Sequence, residues 1–188
     1  MFANQITALR ILAVPFFIAV VLYNVPDRLS LRMTALGIFA LAMLSDAVDG
    51  YIARRWNQRT LAGVILDPLA DKLLLMSAFF CLYIIGPQLP AVRFPTWLVV
   101  AVISRDVILL IGSGLIYSLH GRLPGEATVW GKMSTFLQVL TITAMLLQWP
   151  ALWLWQAAFL IALISGVDYL RIGIGLINAA APGQKTGE

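Results

Sequence analysis

Long apolar runs separated by short polar punctuation set the pattern of this 188-residue chain. The first run extends from about Ile6 to Val25 and stops at Pro26-Asp27. A second begins near Leu31 and continues to Ala53, with polar residues in its last turns. A third opens at Pro68 and closes at Gly86-Pro87, and a fourth spans Pro95 to Leu119 before Gly121. Met133 to Val167 contains no charged residue, and a bilayer-crossing helix takes about 20 residues, so this stretch holds most of two more. Gln148-Trp149-Pro150 divides it, because proline disfavours helix at the residue before it. Lipid offers the backbone no partners, and six long runs are too few for a closed barrel, so the runs predict helices. The expectation is an all-α, six-transmembrane-helix bundle over residues 1–179, followed by a polar tail at 180–188.

Composition agrees with a bilayer as solvent. Hydrophobic residues make up 61% of the chain and charged residues 12%, against about 25% charged in a globular protein. Arg10 followed by Ile11 to Tyr23 slightly resembles a signal peptide, but no small-residue cleavage site follows, which predicts a retained first span. The formal net charge of +4 is spread between the apolar runs rather than gathered in a block, which argues for membrane topology and against nucleic acid. Arg54, Arg55 and Arg59 join the second and third runs, and Arg122 and Lys132 flank the next join on that side, against Arg28, Arg32 and Arg93 opposite. The positive-inside rule then predicts cytoplasmic termini and a cytoplasmic Arg54 loop in a multi-pass protein of the cell (inner) membrane. Cys81 has no partner for a disulfide, and His120 adjoins Gly121-Arg122 as an interfacial residue.

Four of the seven aspartates lie at the ends of the second and third runs. A carboxylate at membrane depth costs a few kcal/mol, so each needs a reason. Asp46, Asp49, Gly50 and Ala53 share one face of a helix, and Asp67 and Asp71, four apart, share another. The connection from Arg54 to Leu66 is short enough to make the two helices antiparallel neighbours. Four carboxylates brought close together repel one another unless cations intervene, and oxygen-only ligation points to Mg²⁺ or Mn²⁺. Gly50 and Ala53 leave the neighbouring surface bare, and Arg54 offers a fork of donors suited to phosphate. Together these describe a diphosphate site. The competing reading pairs the acids with Arg54, Arg55, Arg59 and Lys72 as a structural cluster.

The string Asp46-x-x-Asp49-Gly50-x-x-Ala53-Arg54, eight residues, Gly63, three residues, Asp67, three residues, Asp71 resembles the CDP-alcohol phosphotransferase motif at all eight defining positions. Asn4-x-x-Thr7-x-x-Arg10, Ser104-Arg105-Asp106 and Gly131-Lys132 extend the likeness more weakly. The resemblance implies an active site at the cytoplasmic side between helices 2 and 3, with two divalent metal ions on the donor's diphosphate. It implies Asp46, Asp49 and Asp67 as metal ligands, and Asp71 as both a ligand and the base for the incoming hydroxyl. Gly50, Ala53, Arg54, Gly63 and Thr7 would bind the nucleotide, and family members resemble homodimers.

The acceptor has to be sought elsewhere in the chain. Arg105 and Asp106 stand as neighbours well inside the fourth run, where they either neutralise each other or leave Arg105 available. If Arg105, Lys132 and Arg171 converge beside the carboxylates, they form a pocket for an anionic alcohol. Ala53 to Thr60 and Leu66 to Lys72 resemble bacterial phosphatidylglycerophosphate synthases, whereas Arg105-Asp106-Val107 is nearer the CMP-forming cardiolipin synthases. The expected reaction is therefore phosphatidyl transfer from CDP-diacylglycerol to glycerol 3-phosphate, with phosphatidylglycerol as the alternative acceptor and inositol phosphate third. From another class, a cation-coupled transporter would also use acids in membrane helices. Its sites usually lie near the midplane, unlike these helix ends.

Overall fold

The computed structural model describes residues 2–23, 29–56, 61–89, 92–120 and 128–180. Side chains at 2–11, 46–56, 61–68, 88, 119–120 and 176–180 lie outside that description. Among the described residues there are six α-helices and no strand: α1 (Phe2–Leu22), α2 (Leu29–Trp56), α3 (Leu61–Ile85), α4 (Thr96–His120), α5 (Val129–Leu146) and α6 (Leu152–Ala180). One short 3₁₀ turn, Gly86–Gln88, follows α3. The polar tail, apart from Ala180, lies outside the described residues.

The apolar pattern locates every helix to within a few residues at most ends, and two boundaries differ from its runs by more. The third helix begins at Leu61 rather than Pro68, and its backbone runs helically through the proline. Proline withdraws one N–H from the ladder but does not stop a helix whose flanking residues favour continuing. Only residues 57–60 then separate α2 from α3, in place of the longer connection expected from Arg54 to Leu66. The sixth helix continues from Val167 to Ala180, because Asp168 and Arg171 are one turn apart and interrupt the apolar run without breaking helical spacing.

The break between α5 and α6 falls where Pro150 predicts it. Leu147 caps α5, and Gln148 takes a positive φ of 58°, a conformation uncommon outside glycine. Gln148 N–H donates to the Met145 carbonyl and Trp149 N–H to that of Ala144, closing the helix end.

Helix α3 is central: it packs chiefly against α1 and also against α4 and α5. Helix α6 covers α4 and α5, and α2 packs on α1 with a lighter contact to α5. Over the described residues α1 is thus the principal neighbour of both motif-bearing helices, so α2 and α3 are held largely through it. Phe17 of α1 and Phe39 of α2 meet at 6.0 Å between ring centroids. At the far end of α3, Phe79 stacks on Phe94 at 5.1 Å, and Trp155 of α6 closes edge-on against Phe94.

The outside of this bundle is as apolar as its inside. Each helix leaves large hydrophobic side chains exposed, among them Phe16, Leu41, Phe80, Ile111, Phe136 and Leu160. Soluble monomers rarely expose such continuous apolar surface. Two helical stretches among the described residues, Thr96–Ser118 and Leu152–Gly175, are long and apolar enough by length and composition to cross a membrane.

Candidate active site

The eight motif positions lie on helical backbone. From Asp46 through Arg54 the chain is within α2, and from Gly63 through Asp71 it is within α3. Helical geometry puts Asp46, Asp49, Gly50 and Ala53 along one face of α2, and Gly63, Asp67 and Asp71, each four apart, along one face of α3. The early start of α3 matters here, because it brings Gly63 into the same helical register as the two aspartates. The side chains of Asp46, Asp49, Asp67, Gly50, Ala53, Arg54, Gly63 and Thr7 lie outside the described residues. Asp71 is half-buried.

As a donor set, these carboxylates offer only oxygen, two per helix and one turn apart, with glycines at Gly50 and Gly63 beside them. That chemistry fits a hard divalent cation such as Mg²⁺ or Mn²⁺. Among the described side chains no group of three or more metal-ligating residues occurs.

Next to the motif, the structure assembles a buried polar cluster from four helices. Lys72, adjacent to Asp71, sends its Nζ to Asp106 Oδ1 of α4 at 3.1 Å and to Thr135 Oγ1 of α5 at 3.2 Å. The same Asp106 oxygen accepts from Arg105 Nη1. Arg105 also donates through Nε and Nη2 to Ser165 Oγ of α6, at 3.2 and 2.7 Å, and through Nη2 to the Gly131 carbonyl at 3.5 Å. Asp106 is completely buried and Arg105 is 4% exposed. Burial of charges this deep requires such pairing, since an unpaired ion in a low-dielectric interior is costly.

The sequence places this cluster through a few particular residues. Gly131, in the first turn of α5, stands against the Arg105 guanidinium of α4, and a Cβ there would make an ordinary contact with Arg105 Nη2 at 3.4 Å. Thr128 caps α5 by accepting from Gly131 N–H at 3.2 Å, which fixes the turn that carries Lys132. Farther along, Gly112 of α4 admits the Tyr169 ring, whose Cε1 would lie 2.8 Å from an added Cβ. Tyr169 and Ser113 share a hydroxyl–hydroxyl bond of 2.8 Å.

Of the three basic residues expected at an acceptor pocket, Arg105 is engaged with Asp106, Ser165 and the Gly131 carbonyl, the mutual neutralisation that its sequence neighbour allows. Lys132 is exposed at the start of α5. Arg171 is exposed on α6 and lines a groove of about 370 Å³ with Trp130 and Asp168, beside the first turn of α5. Gly131 links the groups: its carbonyl takes Arg105, and its chain neighbours are Trp130 and Lys132.

Sequence reasoning missed Thr135 and Ser165, and it considered Lys72 only as a partner for motif acids. A signal was available. Thr135 interrupts an otherwise apolar stretch beside Ser134, and a polar group in such a stretch is a candidate for pairing with a charge on a neighbouring helix.

Comparison with known proteins agrees with this architecture. The family model described as CDP-alcohol phosphatidyltransferase matches residues 1–167. The chain belongs to the CDP-alcohol phosphatidyltransferase family, and it is a transferase. That family is generally dependent on divalent metals. Among its relatives, a protein of Bacillus subtilis named CDP-diacylglycerol–glycerol-3-phosphate 3-phosphatidyltransferase is 34% identical, covering 88% of this chain and 91% of its own. A protein of the same name from Pseudomonas fluorescens is 32% identical over 97% of this chain and 91% of its own. A probable phosphatidylglycerophosphate synthase of Mycobacterium tuberculosis is 32% identical over 89% of this chain and 79% of its own.

Proposed function

We propose that this chain is a phosphatidylglycerophosphate synthase, transferring the phosphatidyl group of CDP-diacylglycerol to glycerol 3-phosphate with release of CMP. The observation that carries this reading is the complete eight-position motif on the backbone of α2 and α3, in a chain similar over most of its length to relatives that bear that name. The apolar exterior of all six helices supports a six-span bundle in the inner membrane. The charge bias of the loops favours cytoplasmic termini and a cytoplasmic site between α2 and α3. Phosphatidylglycerol is the alternative acceptor, and homodimerisation is part of the same reading.

In this reading Asp46, Asp49, Asp67 and Asp71 hold two divalent ions, Mg²⁺ or Mn²⁺. The chemistry that ions held by these four carboxylates would supply is charge neutralisation for a diphosphate and its leaving group. Gly50 and Gly63 leave room for the cytidine nucleotide, with Ala53 and Thr7 lining the site and Arg54 paired to the diphosphate. Asp71 takes the proton of the acceptor hydroxyl as its oxygen attacks the phosphorus next to the lipid alcohol. The new P–O bond forms as the bond to CMP breaks. Lys132 and Arg171, both exposed, attract the acceptor's phosphate, and Arg105 supports them from beneath through Gly131.

The test supplies labelled CDP-diacylglycerol to the purified protein with glycerol 3-phosphate or phosphatidylglycerol in parallel. Phosphatidylglycerophosphate should form in the first reaction only, should need Mg²⁺ or Mn²⁺, and should stop with a chelator. Cardiolipin from the second reaction would move the assignment to the alternative acceptor. No CMP from either would overturn the enzymatic reading.

A further inference from the structure

The two cations of the polar cluster, buried Arg105 and partly buried Lys72, converge on the carboxylate of Asp106. Lys72 Nζ is fixed by two bonds, to Asp106 Oδ1 and Thr135 Oγ1, reaching from α3 to both α4 and α5. Asp106 is in turn fixed by Arg105, which is tied to Ser165 of α6 and to the first turn of α5. A helix gripped on one side by apolar contacts alone can still rotate slightly about its axis. Side chains stand about 6 Å from that axis, so a 20° rotation moves a carboxylate by about 2 Å. Misplacement of about 1 Å can cost about 10²-fold in rate, so the rotation of this turn of α3 has to be specified.

We propose that Asp106 is a positioning residue for the transfer reaction: by holding Lys72 it sets the rotation of α3 and so the direction in which Asp71 is presented. Through Arg105 and Gly131 the same carboxylate registers α3 against the turn that carries Lys132. A buried ion cluster is a poor means of adding stability, because desolvation offsets most of the attraction. It is a good means of fixing orientation, because its bonds are directional and few alternative arrangements satisfy them. This inference rests on the proposed phosphatidyl transfer for its kinetic test, and on backbone order alone for its second test.

The kinetic test measures CMP release by detergent-purified wild type, Asp106→Asn, Lys72→Met and the double variant, with both substrates varied. The expected result is a fall in kcat of about 30- to 100-fold in each single variant, with KM for the donor within about 3-fold. The double variant should be no slower than the slower single, because both substitutions cut one link. Lys72→Arg should recover a large part of the rate. A large rise in KM at unchanged kcat would overturn the inference, as it marks direct substrate binding. Multiplying effects in the double variant would do the same.

The second test needs no turnover. Amide hydrogen exchange in peptides covering residues 61–71 should accelerate in Asp106→Asn and Lys72→Met while peptides from 78–85 stay protected. Equal exchange in wild type and variants would overturn the inference even where the reaction assignment fails. Should Asp106→Asn not fold, Thr135→Val removes one of the two anchors of Lys72. It is expected to lower kcat several-fold and to accelerate the same peptides, and no change in either would sink the idea.

Discussion

Two neighbouring stretches of α3, the turn at Lys72 in its middle and the half that follows, are held by different physics. From Leu74 to Ile85 the helix is packed by volume: Leu74, Leu75, Ala78, Phe79 and Leu82 are fully or almost fully buried, and Phe79 stacks on Phe94. In the middle of the helix, beside Asp71, Lys72 adds two polar bonds to α4 and α5 to the burial of Ala70. Apolar packing is graded and weakly directional, so the far end can absorb small shifts by repacking. Charge-assisted bonds are directional and fail abruptly when a partner is lost. Among the described side chains of α3, the exacting polar contacts stand against the motif and only apolar ones continue beyond it. Stability and alignment are thereby divided along a single helix.

That division can be broken most sharply at Asp71. Asp71→Asn keeps the shape of the side chain but removes both the base and a metal-binding charge. Turnover is expected to fall by about 10³-fold or more, the upper part of the range for a general base. The variant should insert into the membrane and elute in detergent as the wild type does. Near-wild-type CMP release would remove Asp71 from the chemistry and leave the far-end comparison without an active counterpart.

The opposite outcome is expected at the apolar end. Phe79→Ala empties a fully buried site against Phe94 and should lower stability by about 3 kcal/mol, read as loss of resistance to heat in detergent. Its kcat per folded molecule should stay within about 2-fold, because the cavity lies about two turns from Lys72 along α3. A large fall in kcat at unchanged stability would show that alignment depends on packing volume as well.

What the sequence made legible follows the same split. The helices could be located because long apolar runs and proline punctuation mark where a helix can form and end, and Gln148-Trp149-Pro150 marked a real break between α5 and α6. The start of α3 was obscured because Pro68 looks like a first-turn residue, whereas the helix passes through it. The motif was legible because its chemistry depends on fixed local spacing. The Lys72–Asp106–Arg105–Ser165 cluster was not, since its bonded partners are separated by up to 60 positions and only packing brings them together. Arg105 shows the limit well. Its sequence admitted either a substrate cation or a partner of Asp106, and only the position of Ser165 and the Gly131 carbonyl decides how its donors are used.

The smallest expected effect probes where the polar end stops. Gln138 lies one turn beyond Ser134 on α5, is 1% exposed, and neither of its amide atoms has a partner among the described residues. Ser134 Oγ and Asp106 Oδ2 are likewise buried without one. An amide buried this way carries a desolvation cost that an apolar side chain of similar size avoids. Gln138→Met should therefore raise stability by about 1 kcal/mol, with kcat unchanged. A loss of similar size, accompanied by slower turnover, would mean that Gln138 is bound through solvent into the polar cluster. The directional end of the bundle would then reach a full turn deeper along α5 than direct bonds define, and Asp106 would align α3 as part of a larger network.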